Sequence, residues 1–156
     1  MSEAPAAGSG EAADEAMARR VHASFERQRF MATLGARLTA VEPGRVSIAL
    51  AFRDDLIQQH GFLHAGVVTT IADSACGYAA LTRMPPDFAV LSTEFKINLL
   101  APARGESFEA VGTVLKAGRT LLVCRGEVFS VDGGQRKRIA EMLGTMMAIQ
   151  RAGLSD

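Results

Sequence analysis

Cysteine, histidine, charge of either sign in excess and long apolar runs are all scarce in this chain, and each scarcity closes off a class of chemistry. Only two cysteines occur, Cys76 and Cys124, each inside an apolar stretch. They read as small buried hydrophobes rather than a disulfide framework. The three histidines are His22, His60 and His64. The last two have i,i+4 spacing, but Gly61 sits between them and no carboxylate accompanies them, so no metal and no other cofactor is expected. Seventeen Lys and Arg balance seventeen Asp and Glu, for a formal net charge of zero. That argues against nucleic acid or an anionic membrane as a partner, and Arg136-Lys137-Arg138 is too small a basic cluster to reverse it. No run of ~18 apolar residues is present, so no transmembrane helix is expected. The N-terminus lacks a basic start followed by an apolar stretch, so no secretory leader is expected and the cytoplasm is the expected compartment. A G-x-S-x-G nucleophile turn is missing, and so are the glycine-rich phosphate loops.

Hydrophobic residues make up 48% of the 156 positions, enough for one domain with a sizeable core. Residues 1–14 are mostly Ala, Gly, Ser and Glu and are expected to form a mobile tail. The domain is expected over 15–150, with a short C-terminal tail over 151–156. Met17, Val21, Phe25, Phe30 and Met31 give a helical stripe over 15–34. Two short strands follow, over 36–41 and 45–52, joined at Glu42-Pro43-Gly44. Residues 54–63 read as a loop. From Ala65 to Leu81 the period is helical, and Ala72, Ala75, Cys76, Gly77, Ala79 and Ala80 keep the surface small. Met84-Pro85-Pro86-Asp87 ends that helix. Four strand-like segments close the chain, over 89–100, 106–116, 120–131 and 138–149. In the first of them Leu91, Thr93, Phe95, Ile97 and Leu99 alternate; in the last, Ile139, Leu143, Thr145, Met147 and Ile149 do.

Strands joined by tight turns imply an antiparallel sheet. One long helix cannot cover both faces, so it is expected in the concave side of a curved sheet. The remaining face or edge then requires a second copy, so a homo-oligomer is expected.

The segment HGFLHAGVVTTIADSACG carries the candidate chemistry. Gly61, Ala65 and Gly66 flank His64 and permit close approach of backbone or ligand. The amides of Ala65 and Gly66 fall where the helix begins, and its positive end suits a carbonyl oxygen gaining negative charge. Asp73 lies two turns further on, with Thr69, Thr70, Cys76 and Gly77 at i±3 and i±4 and no basic partner. Asp is a weak helix former, so propensity does not explain it. Taken alone, these residues favour a solvated helix face for Asp73 and a capping or packing role for His64. Arg119, in the turn Ala117-Gly118-Arg119, and Arg136 to Arg138 are candidates for binding phosphates, although turn charges of this kind are more often there for solubility. Met142, Met146 and Met147 read as core or as a yielding tunnel wall.

The element order and the spacing of Gly61, His64, Gly66 and Asp73 resemble the hotdog-fold thioesterases, in particular their PaaI-like, phenylacetate-degradation branch. The similarity runs over residues 34–149 and includes LSTEFKINLLAPARG and KAGRTLLVCRGEV. It implies an α+β hotdog fold, a curved antiparallel sheet wrapped around one long helix with an added N-terminal helix. It implies hydrolysis of an acyl- or aryl-acyl-coenzyme A, with Asp73 as base or nucleophile and the Ala65 amide as oxyanion donor. His64 then orients the thioester or its loop, Gln58 binds water or the carbonyl, and Ser92 stands near the attacking group from across a subunit boundary. Gly61, Gly66, Thr93 and Arg119 become substrate-binding positions. The partners implied are the acyl-CoA and further copies of the chain: a homodimer with the site between subunits, assembled into a homotetramer. Two positions depart from the pattern, Gln58 where Asn is usual and Ala65 where Gly is usual. A hotdog acyl-CoA binder without catalysis, and a hotdog dehydratase, are the alternative readings. Ser92 also lies out of phase with Leu91 and Thr93, so its side depends on a bulge.

Overall fold

The apolar alternation of the chain resolves, in a computed structural model that describes residues 7–150 and 153–154, into a six-stranded antiparallel sheet. The strands are β1 (Arg37–Glu42), β2 (Arg45–Ala51), β3 (Ala89–Leu99), β4 (Ser107–Ala117), β5 (Leu121–Asp132) and β6 (Gln135–Ile149), in the spatial order β1-β2-β4-β5-β6-β3. Val46, Ile48 and Leu50 of β2, Phe108 and Ala110 of β4 and Met142 and Met146 of β6 are all buried on one face. Each large side chain sealed there contributes roughly 1.5–3 kcal/mol. That face curves around α3 (Ala65–Leu81), whose Ile71, Ala72, Ala75, Cys76, Ala79 and Ala80 are completely buried. This is the expected hotdog arrangement.

Small residues set how closely the sheet closes on the helix. A Cβ added at Gly112 of β4 would lie 2.2 Å from the Ala75 carbonyl oxygen, and one at Gly126 of β5 would lie 3.0 Å from Cys76 Sγ. At the far end of α3, the Gly44 N–H donates to Thr82 Oγ1 at 2.7 Å, tying the β1–β2 turn to the helix terminus.

Three local readings change. The single N-terminal helix expected over 15–34 is instead α1 (Ala7–Arg27) and α2 (Arg29–Leu34), separated at Gln28, whose φ −79° and ψ 87° leave the helical region. Alanine-rich sequence favours helix, so α1 begins within the segment expected to be a tail. Residues 1–6 lie outside the described residues, as do 151, 152, 155 and 156 of the C-terminal tail. In β3, the pairing shifts between Ser92↔Met146 and Glu94↔Thr145, making Thr93 an extra residue. Leu91 therefore faces outward with Met147, whereas Phe95, Ile97 and Leu99 face inward opposite Gly144, Met142 and Ala140. In β6 the inner face is Ala140, Met142, Gly144, Met146 and Ala148. Leu143, expected to share a side with buried Ile139, is instead 53% exposed, because Ile139 occupies the bulge between Val128↔Ala140 and Phe129↔Arg138.

Candidate active site

Helix α3 starts where the chain leaves a short loop closed by the Ile57↔Leu63 bridge. Gly61 makes that loop possible with φ +82°, and its N–H donates to the Gln58 carbonyl at 3.0 Å. The His64 N–H donates to the Leu56 carbonyl at 2.9 Å, fixing the helix start against the loop. His64 is the N-cap of α3: the Gly66 N–H donates to its Nδ1 at 2.8 Å. A nitrogen that accepts carries no proton, so the neutral ring is protonated at Nε2. A Cβ at Gly66 would stand 2.9 Å from Nδ1, so the cap requires glycine there.

The cap consumes the Gly66 amide and leaves the Ala65 N–H without an acceptor among the described residues. Ala65 is the first residue of a regular helix, and among the described residues no non-glycine residue has positive φ, so its methyl imposes no backbone strain. Gln58 stands near it. The Gln58 side chain and Ala65 line one cavity of about 410 Å³, together with Leu63, Val68, Leu99 and Pro102. The Gln58 Oε1 accepts from the His60 N–H. Phe62 also lines this cavity; Arg104 stacks over its ring, 5.2 Å from the centroid, and itself lines a separate cavity with Glu106 and Asp132.

Asp73 sits two turns along, and its surroundings settle a question the residues alone left open. Thr69 and Thr70 donate back to the Ala65 and Gly66 carbonyls at 2.8 and 2.7 Å, so that polar stripe is satisfied within the helix. Asp73 instead reaches the sheet: Ser92 Oγ donates to its Oδ1 at 2.7 Å. The bulge at Thr93 is what turns Ser92 inward, beside Met146 Sδ at 3.4 Å. Within the chain Ser92 therefore meets Asp73. No ion pair to Asp73 occurs among the described residues. Asp73 and Ser92 line a second, smaller cavity of about 120 Å³ with Gln28, Ser74, Gly77, Tyr78 and Val90.

Other expected positions lie elsewhere. Thr93 Oγ1 donates to the Thr145 carbonyl at 2.9 Å and lines neither cavity. Arg119 is exposed in the β4–β5 turn and also lines neither. Arg136 pairs with Glu109 at 2.8 Å and covers the Phe129 ring, while Arg138 pairs with Glu127 at 3.0 Å and Glu141 at 3.1 Å. These charges brace the outer face of the sheet. Arg125, 2.9 Å from Glu141, completes that lattice and holds the Glu141 carboxyl below its ordinary value. Met142 and Met146 are core residues, 1% and 0% exposed. Among the described residues no three His, Cys, Asp or Glu gather as a metal-ligand set, and no helix is long and apolar enough to cross a membrane.

Gln28, Tyr78, Phe62 and Arg104 are the residues sequence reasoning missed. Gln28 and Arg104 carry no local pattern; a helix break brings Gln28 to the cavity beside Asp73, and a loop brings Arg104 over Phe62.

Comparison with known proteins agrees with this fold. Residues 60–137 match the model of the thioesterase superfamily, 4HBT. A crystal structure of a thioesterase family protein from Silicibacter pomeroyi is 48% identical, with a TM-score of 0.85, over 86% of this chain and 99% of that one. A 1,4-dihydroxy-2-naphthoyl-CoA hydrolase from Listeria monocytogenes is 28% identical over 58% of this chain and 74% of its own length. The E. coli PaaI protein of the phenylacetic acid degradation operon shares the fold, with a TM-score of 0.78 at 21% identity over 87% of this chain and 95% of that one.

Proposed function

The chain belongs to the thioesterase superfamily, and from that premise we propose that it hydrolyses an acyl- or aryl-acyl-coenzyme A to the free acid and CoA. The observation that carries this reading is the Ser92–Asp73 hydrogen bond of 2.7 Å: an acid with no cation partner, held by one oxygen at the wall of a cavity. The other carboxylate oxygen is then free to take a proton from water or to attack the thioester carbon. The Ala65 N–H, at the positive end of α3, accepts the charge that develops on the carbonyl oxygen. Gln58, on the same cavity, donates its amide to that oxygen or to the attacking water. His64 acts through its cap, keeping the Ala65 amide aimed.

These two halves do not meet within one chain. Ala65 and Asp73 are eight residues apart on one helix, roughly 12 Å at 1.5 Å per residue. An oxyanion donor and a base must each lie about 3 Å from the reacting group. A second copy resolves the mismatch by bringing its Ala65 opposite Asp73. Strand β3 is the edge suited to this: it ends the sheet, and its Leu91, Phe95 and Leu99 are 52%, 42% and 56% exposed. The functional unit is therefore a homodimer paired at β3, with two sites at the interface, and two such dimers make the tetramer. Arg104, over the Phe62 ring that lines the Ala65 cavity, is a second candidate beside Arg119 for the phosphates of CoA.

Asp73→Asn is the test, read as free-thiol release from a panel of acyl-CoAs. Turnover is expected to fall about 10²–10⁴-fold with the melting curve preserved. Near wild-type release by the variant would sink the reading, and binding without release in the wild type would make the protein a sequestering binder.

A further inference from the structure

The Ser92–Asp73 bond is a distance between two elements, because Asp73 rides on α3 and Ser92 on β3. The strand ladder alone does not fix that distance. The Thr93 bulge interrupts the pairing just beyond Ser92, so only residues 89–92 meet β6 in one register before it. That short stretch takes its starting point from the connection 82–88, which runs from the end of α3 through Met84-Pro85-Pro86-Asp87 into the strand. The two prolines bring no N–H donors. Among the described residues a single backbone bond spans them, from the Phe88 N–H to the Pro85 carbonyl at 3.1 Å.

Arg20 of α1 supplies what the connection lacks. Its half-buried guanidinium donates to the Met84 carbonyl at 3.2 Å and to the Phe88 carbonyl. The first carbonyl lies just past the end of α3, and the second immediately precedes β3. One planar group thus spans the joint between the elements that carry Asp73 and Ser92. A guanidinium presents several donors in a rigid plane, which a lysine cannot reproduce with one nitrogen.

The same face of α1 reaches the cavity itself. Arg20, Ser24 and Gln28 recur at i, i+4 and i+8, the last just beyond the helix end, roughly 12 Å from first to last. Ser24 Oγ donates to the Tyr78 hydroxyl at 3.5 Å, and the Phe25 and Tyr78 rings are 5.7 Å apart. Gln28 lines the cavity that Asp73, Tyr78 and Ser92 share. Helix α1 lies wholly outside residues 60–137, the stretch that matches the superfamily model.

We infer that Arg20 is a positioning residue for the hydrolysis: it holds the end of α3 and the start of β3 at the separation where Ser92 reaches Asp73. This rests on the thioesterase reading and adds to it a residue that acts without touching substrate.

The experiment is a double-mutant cycle of Arg20→Met and Ser92→Ala. It is read as kcat and KM for free-thiol release, at a temperature where each variant is folded. Benzoyl-, hexanoyl- and palmitoyl-CoA are tried first, and the ester that the wild type cleaves fastest is used for the cycle. Met keeps an apolar stem of similar length and donates to neither carbonyl. A misplacement of about 1 Å costs up to about 10²-fold, so Arg20→Met is expected to lose at least about tenfold in kcat, with KM within about twofold. Ser92→Ala is expected to lose at least as much, and the double variant nothing further. Tyr78 provides the control, since it is the only tyrosine and the chain has no tryptophan. Its fluorescence is expected to stay as shielded from iodide in Arg20→Met as in the wild type, with Phe25 and Ser24 still over it. Arg20→Lys, able to bond one carbonyl, is expected to fall between wild type and Arg20→Met, and carries the same cycle if Arg20→Met does not fold. An unchanged kcat, losses that multiply in the double variant, or a Tyr78 newly open to iodide overturns the positioning role and leaves the thioesterase reading intact. Release of thiol from none of the three esters by the wild type overturns both.

Discussion

Two glycines at helix α3 mark opposite regimes of the same element. Gly112, on β4, has a backbone carbonyl where its Cβ would go, 2.2 Å away; Gly77, in the helix itself, has nothing within 4 Å. The first lies on the side where sheet and helix are pressed together, the second on the side that opens beside Asp73. One glycine is there because space has run out, the other leaves space unfilled. The helix thus has a structural flank and a chemical flank, and changes on each should register in different measurements.

The largest effect expected is that of Asp73→Asn, a loss on the open flank worth about 3–5 kcal/mol in activation free energy with little change in stability. A large drop in its melting temperature would break the comparison by making Asp73 a structural residue. Next is Gly112→Ala on the packed flank. Its methyl must displace backbone rather than a flexible side chain, so a destabilisation of about 3 kcal/mol is expected, roughly 6–12 °C in melting temperature. A Gly112→Ala protein with unchanged melting would show that the sheet can retreat from α3.

His64 tests where the flanks join. His64→Ala removes the cap acceptor and should cost about 1 kcal/mol together with kcat, because the Ala65 amide loses its aim. His64→Asn restores an acceptor and should recover stability; recovery of kcat with it makes the cap the role of the ring, while kcat that stays low assigns Nε2–H a direct contact. Nitrogen NMR of the wild type should find the ring proton on Nε2, and a proton on Nδ1 would contradict the cap. The smallest effect is none at all. Burial pushes the Cys124 thiol up to about 12 and raises Cys76 further. Both stay protonated at pH 8, and a charged alkylating reagent should label neither until the protein unfolds. Rapid labelling would mean the packed flank breathes.

Much of this was legible from residues. The boundaries of α3, Ala65 to Leu81, follow from a periodic run between a cap and a double proline, and its wealth of small residues foretold a close wrap. The turns at Gly118 and Gly133 placed the last three strands to within three residues. What stayed hidden depends on contacts far apart in sequence. The bulge at Thr93 has no local signature, so the phase of β3 and the inward turn of Ser92 could not be read. The outer face of β6 carries Leu143, Met147 and Ile149, so alternation grouped these residues but could not say which set faces the helix. Asp73 looked like a solvated residue because its hydrogen-bond partner is 19 positions away. Gln28 entered the site through a helix break that propensity smooths over.

The bulge at Thr93 also governs which genetic changes β3 tolerates. Most single substitutions along the strand alter one side chain and leave its neighbours facing as they did. Loss of Thr93 itself would leave Ser92 and Glu94 opposite the consecutive residues Met146 and Thr145, a regular ladder, whereas loss of any residue beyond it would exchange the inward and outward sets of the rest of the strand. A three-nucleotide deletion at Thr93 should therefore do less harm than one at Phe95 or Ile97, since it removes an extra residue whose side chain bonds only to a neighbouring backbone carbonyl.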